Sequence, residues 1–438
     1  MATEQLYKAT DVRITQLTLI APSGATVFVR ELMTELNIFE DLFSSTMTGN
    51  IILTDTLNLI NSLPITGHEY LEVKFEKPGD QLQFSKIFRV YKLTDRIRVN
   101  EQTETYVLHF ASEELLLSES QLISKSYSGL TISSMVLDIA QKYLKISRSK
   151  LPVQAVQTTL GLHQVIIPSW KPFYTINWLA RMALSTDKSA SYVWYEDRDG
   201  YHFSSLATLV TKSPVQQLIM SPKQTGTERD PTFTDLQLSQ EGMETYTFPE
   251  SFDTLRNLFA GMYASELITV DPFRHAIQTI VYNGTKEFDR HTHLNTFPMI
   301  PNTMDRLGVP ISEHYSAHRT VHPVYTKTEF PLKYDQWAHP RAMYMAGLHS
   351  TRLQAVAAGS LRMKVGTVIT VKLPSANEQT RGAKQLDAFY SGRYLVTALR
   401  HKINRTSHAC IVELCKDSYT QALKTSSESP FIQQIKSS

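Results

Sequence analysis

Cysteine is almost missing from this chain of 438 residues, which holds only Cys410 and Cys415. Both lie in "HACIVELCKD", where strand alternation would turn them, five positions apart, to opposite faces. No disulfide or metal pair is expected between them, and buried thiols are the simpler reading. Long apolar runs are missing as well. None approaches the roughly 20 residues that cross a bilayer, so no membrane insertion by this chain is expected. The opening segment "MATEQLYKATDVRITQ" lacks the apolar core of a signal peptide, which argues against the usual secretory route. Nor is there an excess of one charge: 44 basic and 42 acidic residues give a formal net charge of +2, with no electrostatic footprint for nucleic acid. Catalytic strings are equally absent, with no G-x-S-x-G, no phosphate loop, no G-x-G-x-x-G and no protease-like surroundings at either cysteine.

What the chain does contain is patterned β structure. In "YLEVKFEKPG", Leu71, Val73 and Phe75 alternate with Glu72, Lys74 and Glu76, and "ETYVLHF" repeats the pattern with Tyr106, Leu108 and Phe110 inward. With "DVRITQLTLIAP", "ATVFVREL", "TGNIILTD" and "SKIFRVYKL", these strands suit a small barrel or sandwich over about 1–120, interrupted by a short helix at "TLNLINSLPI". The period then changes. "GLTISSMVLDIAQKYLKI" and "KPFYTINWLARMALST" read as amphipathic helices, and "SYVWYEDRDGYHFSSL" as an aromatic hairpin turned by Asp-Arg-Asp-Gly, giving an α/β module over 121–212. From 241 to 359 the spacing predicts strands at "ASELITV" and "AIQTIVYNG", a helix at "SFDTLRNLFAGM" and a long helix from Pro340 to Ala358. Strands return at "TVITVKLP", "SGRYLVTALRHKI" and "HACIVELCKDSY", and 421–438 reads as a polar tail. The fold class is therefore α+β, mainly β.

Candidate chemistry is sparse. His314, His318 and His322 are spaced four apart, which would line one face of a helix and suit zinc or iron, but Pro310 and Pro323 flank them and no carboxylate falls in step. Asp289, His291 and His293 would share a strand face. Glu113 and Glu114 are adjacent carboxylates that read as an exposed edge rather than a glycosidase pair. The aromatic hairpin suits either a sugar- or base-stacking platform or plain cross-strand stabilisation, and the second is preferred. No catalytic, cofactor-binding or metal residue is assigned on this reading.

The order of certain strings carries more information. "NIFEDLFSSTMTGNIILTDTLNLINSLPITGHEYLEVKFEKPG", then "FRVYKLTDRIRVNEQTETYVLHFASEELLLSESQLISKSYSG", then "TINWLARMALS", "SGRYLVTALRHKI" and "VELCKDSY" resemble the baseplate central hub proteins of contractile-tailed bacteriophages. Related units occur in type VI secretion spikes. The likeness is clearest in the first 210 residues and the last 60, and vague from about 220 to 335. It implies two tail-tube-type antiparallel β-barrels, the second drawn from 213–240 with 360–420, around an inserted α/β segment at 241–359. It further implies a homotrimeric ring that adapts a sixfold tail tube to a threefold central spike, leaving a channel that DNA passes without specific binding. Its partners would be the tail tube protein, the central spike protein, other baseplate proteins and the tape measure protein, in a virion tail baseplate assembled in the host cytoplasm. No enzyme activity and no cofactor are implied. The rival readings are a baseplate-associated hydrolase acting on peptidoglycan or through a metal, and a receptor- or sugar-binding tail protein.

The segment Phe39 to Asp55 reads on this basis as the end of a strand or loop, a turn of small residues and the strand at Thr48 to Asp55. Phe39, Leu42 and Phe43 would pack on a neighbouring subunit, with Glu40 and Asp41 at the rim. Phe43→Asp is expected to weaken ring assembly more than it unfolds the chain, as read by native mass against thermal melting.

Overall fold

The computed structural model describes residues 9–62, 65–152, 155–220, 240–299, 319–323, 333–375 and 386–423; His314 and His318 lie outside them. Seven strands make the N-terminal sheet: β1 (Arg13–Ile20), β2 (Thr26–Phe28), β3 (Met33–Asp41), β4 (Thr48–Asp55), β5 (Tyr70–Glu76), β6 (Gln83–Arg98) and β7 (Glu104–Ala111), in the order β3-β4-β7-β6-β5-β1-β2. All its ladders are antiparallel. The alternation read from the sequence is what curls it: Leu71, Val73, Phe75, Tyr106, Leu108 and Phe110 all bury into one core together with side chains from β1, β3, β4 and β6. Such convergence from every strand requires the sheet to wrap round that core. Close wrapping is helped at Gly49, where a Cβ would meet the Phe110 ring and the Asn37 carbonyl at 2.4 Å.

Next comes the α/β module. β8 (Ile123–Leu130) pairs with β9 (His163–Trp170), and β10 (Tyr192–Asp197) pairs with β11 (Gly200–Ser205). Helices Ile132–Lys142 and Pro172–Met182 pack between them; Thr131 caps the first, and Pro172 opens the second.

The C-terminal half is a closed six-stranded barrel. Its members are β12 (Gln216–Met220), β13 (Gly242–Glu250), and four later strands. Between β13 and those four lies a small sheet of β14 (Ala264–Asp271), β15 (Ala276–Asn283) and β17 (Arg319–Pro323), with the two-residue β16 (Phe297–Pro298) nearby. The remaining staves are β18 (Thr351–Ala358), β19 (Val368–Lys372), β20 (Gly392–Ile403) and β21 (His408–Lys416); β22 (Ser418–Tyr419) pairs with β16. The order β19-β12-β13-β18-β21-β20 closes on itself through the β19–β20 ladder.

One sequence expectation fails here. The helix occupies Tyr334–Leu348, with Pro340 inside it rather than in its first turn, and the second half of the expected helix is strand β18. Leu353, Ala355 and Ala357 point into the barrel at a period of two, and alanine fits either element, so the neighbours β13 and β21 decide. β13 and β18 are thus barrel staves, although both fall in the stretch grouped as an insertion.

The two halves are one continuous sheet because β20 belongs to both. One of its edges pairs with β21 from Leu395 to Ile403. Its other edge pairs with β19 from Gly392 to Leu395 and then with β3 from Ala398 to Ile403. The handover falls at Thr397, where the register shifts between Val396 and Ala398. That bulge bends the strand out of one barrel and into the other sheet. Its carbonyl accepts from Leu42 N at 2.8 Å and its hydroxyl donates to Glu413 Oε1 at 3.0 Å. Deleting Thr397 should therefore invert every later side chain of β20 and abolish cooperative folding, whereas Thr397→Ala should cost about 1 kcal/mol; urea melts followed by circular dichroism distinguish the two.

Candidate assembly surfaces and a buried histidine–cysteine cluster

The Phe39–Asp55 segment is the β3–β4 hairpin, and the structure redistributes its side chains. Leu42 is fully buried in the chain's own barrel core, and Glu40 is buried too, not at a rim. Phe39 packs under the Arg400 guanidinium at 5.8 Å. Asp41 is exposed, and of the three apolar side chains Phe43 is open, at 37 %, with its ring 4.9 Å from His349. The reading of Leu42 as a contact for another subunit is overturned by its burial within the chain; Phe39 is half-buried, and Phe43 keeps an outward face.

The aromatic hairpin is not a platform. Tyr192, Trp194, Tyr195, Tyr201 and Phe203 are all buried. Its polar residues instead fasten the module to both halves. Glu196 accepts from Met47 N at 2.9 Å, Ser112 Oγ at 2.6 Å and Lys86 Nζ at 2.8 Å, all in the N-terminal half. One residue on, Asp197 lies 3.0 Å from His202 Nε2 and 2.7 Å from Lys364 Nζ, while Arg198 donates to the Leu361 carbonyl, so the turn grips the loop before β19. Burial would raise the Asp197 carboxyl, and His202 and Lys364 overcome it, holding the group well below its ordinary 3.8. Glu114 is likewise no exposed edge: it sits in the first turn of helix Glu113–Glu119, buried, accepting from Tyr201 Oη at 2.9 Å and Lys150 Nζ at 2.5 Å. Its neighbour Glu113 accepts from Tyr70 Oη at 2.9 Å.

Of the spaced histidines His314, His318 and His322, only the last lies among the described residues. His322 lies in strand β17, parallel to β14, not on a helix, and stacks on Tyr334 at 4.3 Å. Asp289, His291 and His293 follow helix Gly284–Phe288 in a turn rather than a strand. His293 bonds Asp417 at 2.8 Å and the Phe288 carbonyl at 2.9 Å, and stacks on the Phe288 ring; it is a packing residue at the edge of an apolar cleft shared with His291, Met299 and Tyr344.

A different group does converge. His401 on β20, with His408 and Cys410 on β21, is buried, and His401 stands directly opposite Cys410 in the ladder. His401 Nδ1 is 3.0 Å from His408 Nε2, and each nitrogen is 3.6 Å from Cys410 Sγ. Glu40 Oε1 lies 3.7 Å from the other ring nitrogen of His401 and has no hydrogen-bond partner among the described residues, while Glu40 Oε2 accepts from Val365 N at 3.2 Å. Burial would raise the Cys410 thiol, but His408 and His401 bring it well below its ordinary value; Cys415, without such neighbours, is pushed by burial up to about 12. Sequence reading took the two cysteines as equivalent. The signal that separates them is the H-x-C pair at one strand face, with a histidine across the hairpin.

The outward surfaces are apolar in places. Beyond Arg89, where β5 ends its pairing, β6 continues against β7 with Tyr91 and Ile97 exposed, and Val99 is exposed just past its end. β15 is an edge strand of its sheet, with Ile277 and Val281 exposed, and helix Thr254–Phe259 shows Leu255 and Phe259 to solvent beside Phe252. Such edges invite pairing or cover by another chain.

Two substitutions test the hairpin's role as fastener. Glu196→Ala leaves the buried Ser112 hydroxyl and the partly buried Lys86 ammonium without their acceptor and should cost about 2–3 kcal/mol. Asp197→Asn should lower stability at neutral pH and flatten its loss in acid: a carboxyl depressed in the folded state contributes fully above the unfolded value and loses that contribution as pH falls below about 4. Thermal melts of both variants between about pH 3 and 7 read the effect.

No family model matches the sequence. A protein of Vibrio phage KVP40 named as a probable baseplate hub protein is 21 % identical over 403 residues, covering 88 % of this chain and 90 % of that protein. Among solved structures, a tail protein from Neisseria meningitidis MC58 aligns over 92 % of this chain and 96 % of its own, with a TM-score of 0.52 and 11 % identity. The 43 kDa tail protein of prophage MuSo2 from Shewanella oneidensis aligns over 92 % and 99 %, at 0.52 and 10 % identity. The structural likenesses establish a shared fold with these tail proteins, and over most of its length the sequence is similar to that of a probable baseplate hub protein.

Proposed function

We propose that the chain is a structural hub of a phage tail baseplate, acting without catalysis, in which three copies close into a ring between the sixfold tail tube and the threefold central spike. The observation that carries this is the fork at β20. It fuses a closed barrel and a curled sheet into one body, so a single protomer presents two tube-like units in fixed relation, and three protomers present six. The edge of β6 that β5 leaves uncovered beyond Arg89, and the apolar helix Thr254–Phe259, supply surfaces that neighbours would cover. The partners on this reading are the tail tube protein, the central spike protein, other baseplate proteins and the tape measure protein. The chain would work in the virion tail after assembly in the host cytoplasm, with DNA passing through the ring unread. Burial of the aromatic hairpin removes the platform on which a sugar-binding role would rest.

Native mass measurement followed by negative-stain imaging with the tube and spike proteins tests the proposal. A trimeric ring that caps the tube is expected, and Ile97→Lys with Val99→Lys should shift the mass toward monomer while leaving the melting temperature within a few degrees. A strict monomer that binds neither protein, or turnover of peptidoglycan by the purified chain, would overturn it.

A further inference from the structure

The His401–His408–Cys410 cluster is the strongest unassigned feature of the molecule. Its three donor atoms touch one another, and no water can reach them: the rings of Phe75 and Phe84 stand beside the imidazoles, and all three residues are at most 2 % exposed. A tetrahedral zinc ion, with bonds of about 2.0–2.1 Å to nitrogen and about 2.3 Å to sulfur, spaces its ligands about 3.3 Å apart between nitrogens and about 3.5 Å between nitrogen and sulfur. The observed separations are 3.0, 3.6 and 3.6 Å. The triangle therefore needs to open along only one side, by a few tenths of an ångström, to hold the ion.

We propose that His401 Nδ1, His408 Nε2 and Cys410 Sγ bind a structural zinc ion at the junction of the two halves. Two imidazoles and one thiolate form a borderline-soft donor set that favours zinc over magnesium or calcium. The surroundings fit a closed structural site. The Ser360 carbonyl oxygen is 3.7 Å from Cys410 Sγ, close to the spacing of a tetrahedron's fourth corner, and the Ser360 amide stands 3.4 Å from the same sulfur. The preceding Gly359 lies against the His408 ring so closely that a Cβ would come within 2.2 Å, and Lys77 Nζ holds the Gly359 carbonyl at 2.8 Å. The unpartnered Glu40 Oε1 faces the distal nitrogen of His401. With Nδ1 given to a metal, Nε2 carries the proton, and this carboxylate is the acceptor that fixes the tautomer. A divalent ion also offsets the thiolate and the Glu40 carboxylate in a place that water does not reach.

Binding is a ligand exchange without oxidation or reduction: zinc gives up bound water, and Cys410 gives up its thiol proton to solvent. The ion would tie β20 to β21 on the side of the hairpin that meets β3, so it bears on the fork between the halves.

The test uses the full chain, purified without a metal-chelating tag from zinc-supplemented cultures and measured by inductively coupled plasma mass spectrometry. About one zinc per chain is expected, retained by Cys415→Ser and lost from Cys410→Ser and His408→Gln. Because those two variants can fail to fold, the wild-type chain is also stripped with a strong chelator and titrated with cobalt(II). A thiolate-to-cobalt charge-transfer band saturating at about one equivalent, and a melting temperature that falls on stripping and recovers with zinc, are expected. A wild-type chain that carries no zinc and gives no such band, or one in which Cys415→Ser and Cys410→Ser behave alike, would overturn the assignment. None of these readouts depends on ring formation, so failure here is distinct from failure of the hub proposal.

Discussion

The hydrogen-bond ladder of β20 is the constraint on which the rest of the fold depends. A strand has two edges, and this one spends one edge on β21 while dividing the other between β19 and β3. Closure of the C-terminal barrel and attachment of the N-terminal sheet are thus properties of the same twelve residues, Gly392–Ile403. The bulge at Thr397 makes the division geometrically workable, since a straight strand would continue round one barrel. Leu42 and Leu361 show how far the halves interpenetrate: the first comes from the N-terminal hairpin and lies in the barrel core, and the second leaves the barrel side and lies in the N-terminal core.

The α/β module braces that junction from outside. Adjacent carboxylates on one hairpin, Glu196 and Asp197, reach opposite halves, one toward Lys86 and Ser112 and the other toward Lys364. Buried carboxylates with charged partners add little net stability compared with apolar packing, but they penalise any other docking of the module. Their effect is to fix how the module sits on both halves rather than to add stability.

Much of this was legible in the sequence, and the failures have physical causes. Leu71, Val73 and Phe75 alternate against charged neighbours, so β5 could be read without any partner. The helices Ile132–Lys142 and Pro172–Met182 carried their own stripe and first-turn signals. β3 did not. Its Glu35 and Asn37 lie on one face and bond Arg400, and its Glu40 lies on the other toward His401, so polar residues fall on both sides of a strand one of whose two partners, β20, lies more than 350 residues away. The long helix was overextended because Ala355, Ala357 and Ala358 fit a helix or a crowded barrel equally. The His401–His408–Cys410 group was hidden for the same reason as β3: it exists only once the β20–β21 register is known, and that register includes a bulge.

Native-state hydrogen exchange along β20 is the most direct test of the claim that the two halves form one cooperative body. Amides of Gly392–Leu395, which serve the barrel, and of Ala398–Ile403, which serve the N-terminal sheet, should open with the same free energy, equal to that of global unfolding. Two distinct opening energies on either side of Thr397 would mean that the sheets unfold independently, and the fork would then be a hinge and not a weld.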